Sequence, residues 1–228
     1  MSVLVVTGTD TGVGKTIVTA ALAAVLAARG ETVAVVKPAQ AGTEDGRGDV
    51  DVVRALAGVT AVEGVRLPYP MAPVAAARRA GTALPDLAAH TACATELAGR
   101  HDHVLVEGAG GLLVELDGHG RTLADLATAL AAPAVVVCRS GLGTLNHTAL
   151  TVEALQRRRI PVAGLVIGAW PDTPSEVELS NRAALEPLLG AVPAGAGGLD
   201  PARFRAEAPR WIRLPVGGPG AATRRAPG

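Results

Sequence analysis

Residues 3–16, VLVVTGTDTGVGKT, decide the fold. Val3–Thr7 is a short β-branched run, Gly8–Gly14 a glycine-rich turn, and Lys15–Arg29 an Ala/Leu-rich stretch of helical composition. Strand, glycine-rich turn and helix in that order make a phosphate-binding loop. The strict motif has four residues between its first glycine and Gly-Lys-Ser/Thr. Five separate Gly8 from Gly14, so the loop is a variant. The physical requirements are still met. Gly12 and Gly14 let backbone N–H groups converge on phosphate oxygens, Lys15 supplies charge to the β and γ phosphates, and Thr16 offers magnesium a hydroxyl. A lysine at a helix N-terminus opposes the helix dipole, a conflict that a bound anion removes.

The alternation continues beyond the loop. Thr32–Lys37, Val104–Glu107, Ala134–Cys138 and Val162–Ile167 read as further strands. They are near-continuous apolar runs, as in a parallel sheet covered on both faces. Helices are predicted over Lys15–Arg29, Val50–Ala57, Leu84–Gly99, Leu123–Ala131, Leu145–Arg158 and Ser175–Leu189. The fold class is therefore α/β and P-loop NTPase-like, a mostly parallel, doubly wound sheet with helices on both faces. Ligands in such sheets bind at the carboxyl ends of strands. One domain is expected over residues 1–214. Residues 215–228 are Gly/Pro-rich and are expected to be poorly ordered, with Arg224 and Arg225 as solubilising charge.

Composition excludes several classes. There are 21 basic and 21 acidic side chains, so a net charge of zero calls for neither nucleic acid nor an anionic membrane. Tyr69, Trp170, Phe204 and Trp211 are the only aromatic residues, which leaves the core to Ala, Val and Leu. Two cysteines, Cys93 and Cys138, exclude a disulfide scaffold and a cysteine-rich metal fold. His101 and His103 lack further ligands nearby and read as surface histidines. No apolar run reaches the roughly eighteen residues of a membrane span. The opening MSVLVVTG has no basic leader region, so a cytoplasmic protein is expected.

The turns after the other strands carry the remaining candidates. Lys37 ends its strand and precedes Pro38-Ala39-Gln40-Ala41-Gly42. There it is either a second cation for a phosphate or carboxylate, or a solvated strand-end lysine. In both cases little packing role is expected of it. Asp49 and Asp51 can each cap the next helix or reach magnesium. Glu107, in VLVEGAGG, ends a strand where P-loop enzymes keep an acidic magnesium ligand, and the glycines after it allow close backbone approach. In CRSGLGTLNH, residues 138–147, Thr144 can cap a helix whose free N–H groups hold a carboxylate, or can be a plain cap with Asn146 on the surface. Arginines 157–159 end a helix, where cations suit the dipole.

Four blocks now stand in order: GTDTGVGKT at 8–16, KPAQAG at 37–42, VEGAGG at 106–111 and GLGTLNHT at 141–148. Together they closely resemble the dethiobiotin synthetase family, ATP-dependent carboxylases of biotin biosynthesis, from Val3 to about Gly195. The first block matches many P-loop proteins, whereas the combination is far more specific. The resemblance implies a ligase acting on 7,8-diaminononanoate, carbon dioxide and ATP, with magnesium. One amine takes up carbon dioxide as a carbamate, ATP phosphorylates it, and the second amine closes the ureido ring and releases phosphate. Lys15, Lys37 and Thr11 are then catalytic, Thr11 as a phosphoryl-transfer hydroxyl. Gly12, Val13, Gly14, Lys15, Thr16 and Ile17, with Glu107, Gly108, Ala109 and Gly110, bind nucleotide, and Thr16, Asp49 and Glu107 hold magnesium. Ala41 lies at the substrate near the carbamate, Met71 and Ala72 form part of the wall over the aliphatic chain, and Gly143, Thr144 and Leu145 seat the substrate carboxylate.

The resemblance further implies a homodimer with the substrate seat at its interface, Asn146 reaching across the two-fold axis. A helix carrying Leu145, Leu150 and Leu155 in a weakly charged stretch suits such an interface. Two departures stand out. Ala41 replaces the Ser or Thr common in the family, removing a hydroxyl near the carbamate. No Asn follows the Val162–Ile167 strand, where some relatives use one on the adenine edge. The base then falls to backbone groups at Gly168, Ala169, Pro193, Ala194 and Gly195. The runner-up is a partition or septum-site ATPase, a dimerisation switch with a lysine at the position of Asp10 and often a basic C-terminal helix. Asp10 and the Gly/Pro tail argue against it. Amidating synthases of cobalamin biosynthesis need a glutaminase domain for which there is no room, and a GTPase needs an Asn-Lys-x-Asp run that is absent.

Overall fold

The structure, a computed structural model, describes residues 2–43 and 46–214. The expectation for residues 215–228, including Arg224 and Arg225, lies outside the described residues. Seven strands build one sheet: β1 (Ser2–Gly8), β2 (Val33–Ala41), β3 (Thr60–Leu67), β4 (His103–Glu107), β5 (Ala134–Cys138), β6 (Val162–Trp170) and β7 (Leu188–Pro193). Their order is β3-β2-β4-β1-β5-β6-β7, and every neighbouring pair is parallel. The helices are α1 (Lys15–Ala27), α2 (Asp49–Ala57), α3 (Pro73–Ala80), α4 (Leu87–Ala98), α5 (Leu123–Ala129), α6 (Thr144–Arg157), α7 (Glu176–Ala184) and α8 (Pro201–Trp211).

Each face of the sheet has its own core. On one face Leu22 and Leu26 of α1, Val53 of α2 and Phe204 of α8 pack on Val35, Leu105 and Val137. On the other, Ala94 of α4, Leu123 and Leu126 of α5 and Leu155 of α6 pack on Val104 and Val136. A fully buried Leu of this kind contributes about 1.5–3 kcal/mol. The cores are aliphatic, as the composition requires, with Phe204 the largest fully buried side chain.

Several elements differ from the sequence reading. β3 was not foreseen because Glu63 and Gly64 interrupt its apolar run at the sheet edge. α3 and α8 begin at Pro73 and Pro201, which read as breakers although proline suits a first helical turn. Asp200 caps α8, its Oδ1 accepting from the Ala202 N–H at 2.9 Å. The predicted helix over Ser175–Leu189 stops at Ala184, since Pro187 disfavours helix just before itself, and Leu188 already begins β7. Asp86 caps α4 and moves its start from Leu84 to Leu87. His103 is not a surface residue. It is buried at the foot of β4, with Nδ1 2.7 Å from Ser2 Oγ and Nε2 3.1 Å from Glu31.

Candidate active site

Strand β2 outruns its neighbour. It pairs with β4 only as far as Val36↔Val106 but with β3 as far as Ala41↔Leu67. Lys37, Ala39 and Ala41 alternate onto one side of this projecting segment and line a cavity of about 610 Å³. The opposite wall is the loop between β1 and α1.

That loop is fixed by backbone contact. Gly14 caps α1 with φ 92°, a left-handed conformation that favours glycine. A Cβ on Gly14 would fall 2.6 Å from the Gly168 carbonyl oxygen, and one on Gly168 would fall 1.9 Å from the Val13 carbonyl oxygen. The end of β6 therefore presses directly on the phosphate loop, and both positions require glycine.

Four charged groups face the cavity: Lys15, Lys37 and Glu107 are buried, and Asp49 is partly exposed. The Lys37 ammonium donates to Glu107 Oε1 at 2.7 Å and to the Gly108 carbonyl at 3.0 Å, and lies 2.6 Å from Asp49 Oδ2. Burial alone would lower the Lys37 pKa, but the Glu107 and Asp49 carboxylates hold it above the ordinary lysine value. Burial would likewise raise Asp49, and Lys37 holds it below the usual carboxylate range. Thr16 Oγ1 donates to Glu107 Oε1 at 2.9 Å. Lys15 donates to the Asp10 carbonyl at 2.9 Å, and burial first, then Lys37, lowers its pKa to about 8. Lys37 is not a solvated strand-end lysine: it lies inside β2, 4% exposed, with two carboxylates as partners.

Of the nucleotide candidates, Gly12, Gly14, Lys15, Thr16, Ile17, Glu107, Ala109 and Gly110 line the cavity, as do Thr11, Asp49, Ala41, Met71 and Ala72. Val13 is buried beneath the loop, and Gly108 faces Leu123 while its carbonyl serves Lys37. Gly168, Ala169, Pro193, Ala194 and Gly195 gather at the ends of β6 and β7. The Ala194 N–H donates to the Trp170 carbonyl at 2.8 Å, and Gly197 lies against Ile17.

Gly143, Thr144, Leu145 and Asn146 sit at the start of α6, outside the cavity wall. The capping expectation for Thr144 is corrected. Gly143 is the cap residue, and the Thr144 hydroxyl instead donates to the Arg139 carbonyl at 2.8 Å. The alternatives for the two aspartates also separate. Asp51 accepts from the Gly48 N–H and pairs with Arg66, whereas Asp49 turns inward to Lys37.

Gln40 was not foreseen as a site residue. It is 6% exposed, and its Oε1 accepts from the Asp49 N–H at 2.8 Å, which fixes where α2 delivers that carboxylate. A polar residue three positions after Lys37 within KPAQAG was the available signal.

A parallel sheet whose first strand feeds a glycine-rich phosphate loop, with two lysines and two carboxylates at the carboxyl edge, defines a P-loop nucleotide-utilising protein. A family model described as an AAA domain matches residues 2–197. Proteins named ATP-dependent dethiobiotin synthetase BioD are similar over nearly the whole chain. The one from Streptomyces avermitilis is 55% identical over 227 residues, covering 96% of this chain and 94% of that protein. The one from Mycobacterium avium is 56% identical over 210 residues, covering 90% and 93%. The chain belongs to the dethiobiotin synthetase family, whose members are ATP-utilising ligases.

Among solved structures, the septum site-determining protein MinD of Pyrococcus horikoshii, complexed with Mg-ADP, aligns with a TM-score of 0.59. It is 18% identical and covers 90% of this chain and 89% of that one. The runner-up class thus shares the fold, while the sequence likeness lies with the synthetases. Among the described residues no helix is long and apolar enough to cross a membrane.

Proposed function

We propose that this chain is an ATP-dependent cyclo-ligase that converts 7,8-diaminononanoate and carbon dioxide to dethiobiotin, with ADP and phosphate as the other products. The observation that carries this reading is the pair of lysines facing one cavity beside the phosphate loop. A carbamate and a γ-phosphate are both anionic and must meet, which requires cations between them. In this reading Lys15 holds the β/γ phosphates. Lys37 neutralises the carbamate as it attacks the γ-phosphorus, and the Thr11 hydroxyl steadies the phosphoryl group in transfer. ADP leaves, and the second amine then attacks the carbamoyl carbon of the mixed anhydride, forms the ring C–N bond and expels phosphate. Met71 and Ala72 offer the aliphatic chain an apolar wall, and Ala41 lies toward the carbamate. ATP hydrolysis that depends on diaminononanoate and carbon dioxide, but not on glutamine or another protein, is the expected result. Hydrolysis indifferent to diaminononanoate refutes the reading.

Magnesium fits the donors at the loop. Glu107 is 1% exposed and its Oε2 has no hydrogen-bond partner, while the Thr16 hydroxyl and the Asp49 carboxylate stand beside it. These are hard oxygens, and they are few enough to leave positions for phosphate oxygens and water. Bound there, the ion would neutralise phosphate charge.

Backbone groups of Gly168, Ala169, Pro193, Ala194 and Gly195 are proposed to meet the base. A base edge read without a side-chain amide is weakly discriminated, because no buried amide is left unpaired by the wrong base. CTP or GTP should therefore support measurable turnover in the same assay. A preference for ATP of about 10⁴-fold over every other triphosphate contradicts this assignment.

A homodimer is proposed through α6 and α7. Leu142 is exposed just before α6, Leu145 and Leu150 are exposed in its first half, and Val177 and Leu179 are exposed on α7. Leu155, expected in the same surface, is instead fully buried in the protomer's own core. The proposed seat for the substrate carboxylate is the partner's Gly143–Leu145 backbone, with exposed Asn146 donating to it. Asn146→Ala should raise the KM for diaminononanoate by about one to two orders of magnitude and leave ATP binding nearly unchanged. Light scattering that shows a monomer at micromolar concentration, or an unchanged KM, contradicts it.

A further inference from the structure

Asp10 lies inside the phosphate loop, where a carboxylate repels the anion the loop is built to hold. It is engaged on three sides. Its Oδ1 accepts from the Thr11 N–H at 2.7 Å, its carbonyl accepts from Lys15 Nζ at 2.9 Å, and its Oδ2 accepts from Arg139 Nη2 at 2.7 Å. Through the first two contacts, the placement of Asp10 sets both the Thr11 backbone and the Lys15 ammonium.

Arg139 comes from the loop between β5 and α6. That loop is locked from several directions. Thr144 Oγ1 donates to the Arg139 carbonyl at 2.8 Å, and buried Asn181 of α7 donates to the carbonyls of Ser140 at 2.8 Å and Gly141 at 3.0 Å. Ser140 Oγ donates to Glu178 Oε1 at 2.7 Å, and the Thr9 N–H donates to the Val137 carbonyl at 2.9 Å, joining the two loops at their base. The guanidinium is thus projected from a fixed platform onto a residue 129 positions away in sequence. Surface pairs such as Arg157 with Glu153 merely span one helical turn.

We propose that Arg139 is a positioning residue for the phosphate loop: it cancels the Asp10 charge at an anion site and, through Asp10, fixes Thr11 and Lys15. The proposal rests on the reading that this loop holds the phosphates of ATP. Both side chains are 51% exposed, so the pair adds little to fold stability and its effect is screened by salt.

The test is calorimetric binding of ATP to four full-length proteins: the unmodified chain, Arg139→Met, Asp10→Asn and the double variant. In Asp10→Asn the side-chain amide oxygen can still accept from the Thr11 N–H, so that variant removes charge and little else. Arg139→Met should weaken ATP binding roughly three- to tenfold at about 50 mM salt, and the deficit should shrink as salt rises toward about 0.5 M. The double variant should bind within about twofold of Asp10→Asn, because a neutral side chain at that position needs no counter-charge. Thermal midpoints should be unchanged. The proposal is overturned if Arg139→Met binds ATP like the unmodified chain, if the double variant stays as weak as Arg139→Met, or if the deficit is indifferent to salt and accompanied by a lowered midpoint. Failure of diaminononanoate-dependent turnover in the unmodified chain would sink the functional reading, and the ATP comparison would still decide the role of Arg139.

Discussion

Lys37→Met should lower turnover by about 10²–10³-fold, the usual cost of losing one group aimed at developing charge. It should also destabilise the fold. Lys37 is 4% exposed between Glu107 and Asp49, and Glu107 is itself 1% exposed. Removing one partner of a buried ion pair typically costs about 3–5 kcal/mol, because here the Glu107 carboxylate stays buried without its cation. The substitution is therefore expected to show two independent deficits, one in kcat and one in the denaturant midpoint. The sign of the pH dependence follows from the raised Lys37 pKa. Its stabilising contribution is full below the unfolded-state value of 10.5 and is lost as pH rises through the higher folded value. Near-full turnover in Lys37→Met would remove Lys37 from the carbamate–phosphate site. An unchanged midpoint would contradict the buried cluster.

Lys15→Ala should cost a similar 10²–10³-fold in turnover, with a distinct signature. Burial and Lys37 bring the Lys15 pKa to about 8, so the free protein sheds this proton well before an unfolded chain does at 10.5. Between those values the unfolded state binds more protons, and the stability of the free fold rises with pH across that window. ATP binding requires the charged ammonium and has the opposite trend. Affinity should fall above about pH 8, by up to tenfold per pH unit, with proton uptake on binding. Titration calorimetry in buffers of different ionisation heat reads both. In Lys15→Ala the slope should vanish along with most of the affinity. An ATP Kd that stays flat from about pH 7 to 9.5 in the unmodified chain would show that Lys15 does not titrate in the binding equilibrium.

The phosphate loop and the central strands were legible because their signals are local. A β-branched run, a glycine turn and a helix-starting lysine lie within fourteen consecutive residues, 3–16. β1, β2, β4, β5 and β6 were found because they are central and each carries a near-continuous apolar run. The edge strands β3 and β7 were missed for the complementary reason. Half-exposed strands carry Glu63 and Arg66, or merge with a preceding helix, as Leu188 did. The candidate site follows the same division. Lys15 and Thr16 announce themselves by their place after a strand and a glycine turn, and Lys37 and Glu107 by closing apolar runs. What the sequence could not give is which partner each one meets. Asp49 and Asp51 are two residues apart and chemically identical, and only the start of α2 at Asp49, tied down by Gln40, turns one inward and the other toward Arg66. The Asp10–Arg139 contact and the burial of His103 against Ser2 and Glu31 join residues about 130, 100 and 70 positions apart, distances over which no local pattern reports.

The projection of β2 and β3 beyond β4 separates two properties of the molecule that are usually tangled. The phosphate loop is anchored at the centre of the sheet, by β1, β5 and β6, while the far wall of the cavity is an overhanging shelf attached to the sheet along one side only. The length of the shelf carries the turn at Pro70–Ala72 away from the loop. Strand geometry makes that separation adjustable in steps. Adding two residues to each shelf strand returns every side chain to its original face and carries the outer turn away by about 6.6 Å. The scaffold therefore contains a ruler whose graduations can be reset at its outer end while the nucleotide end stays where the sheet holds it.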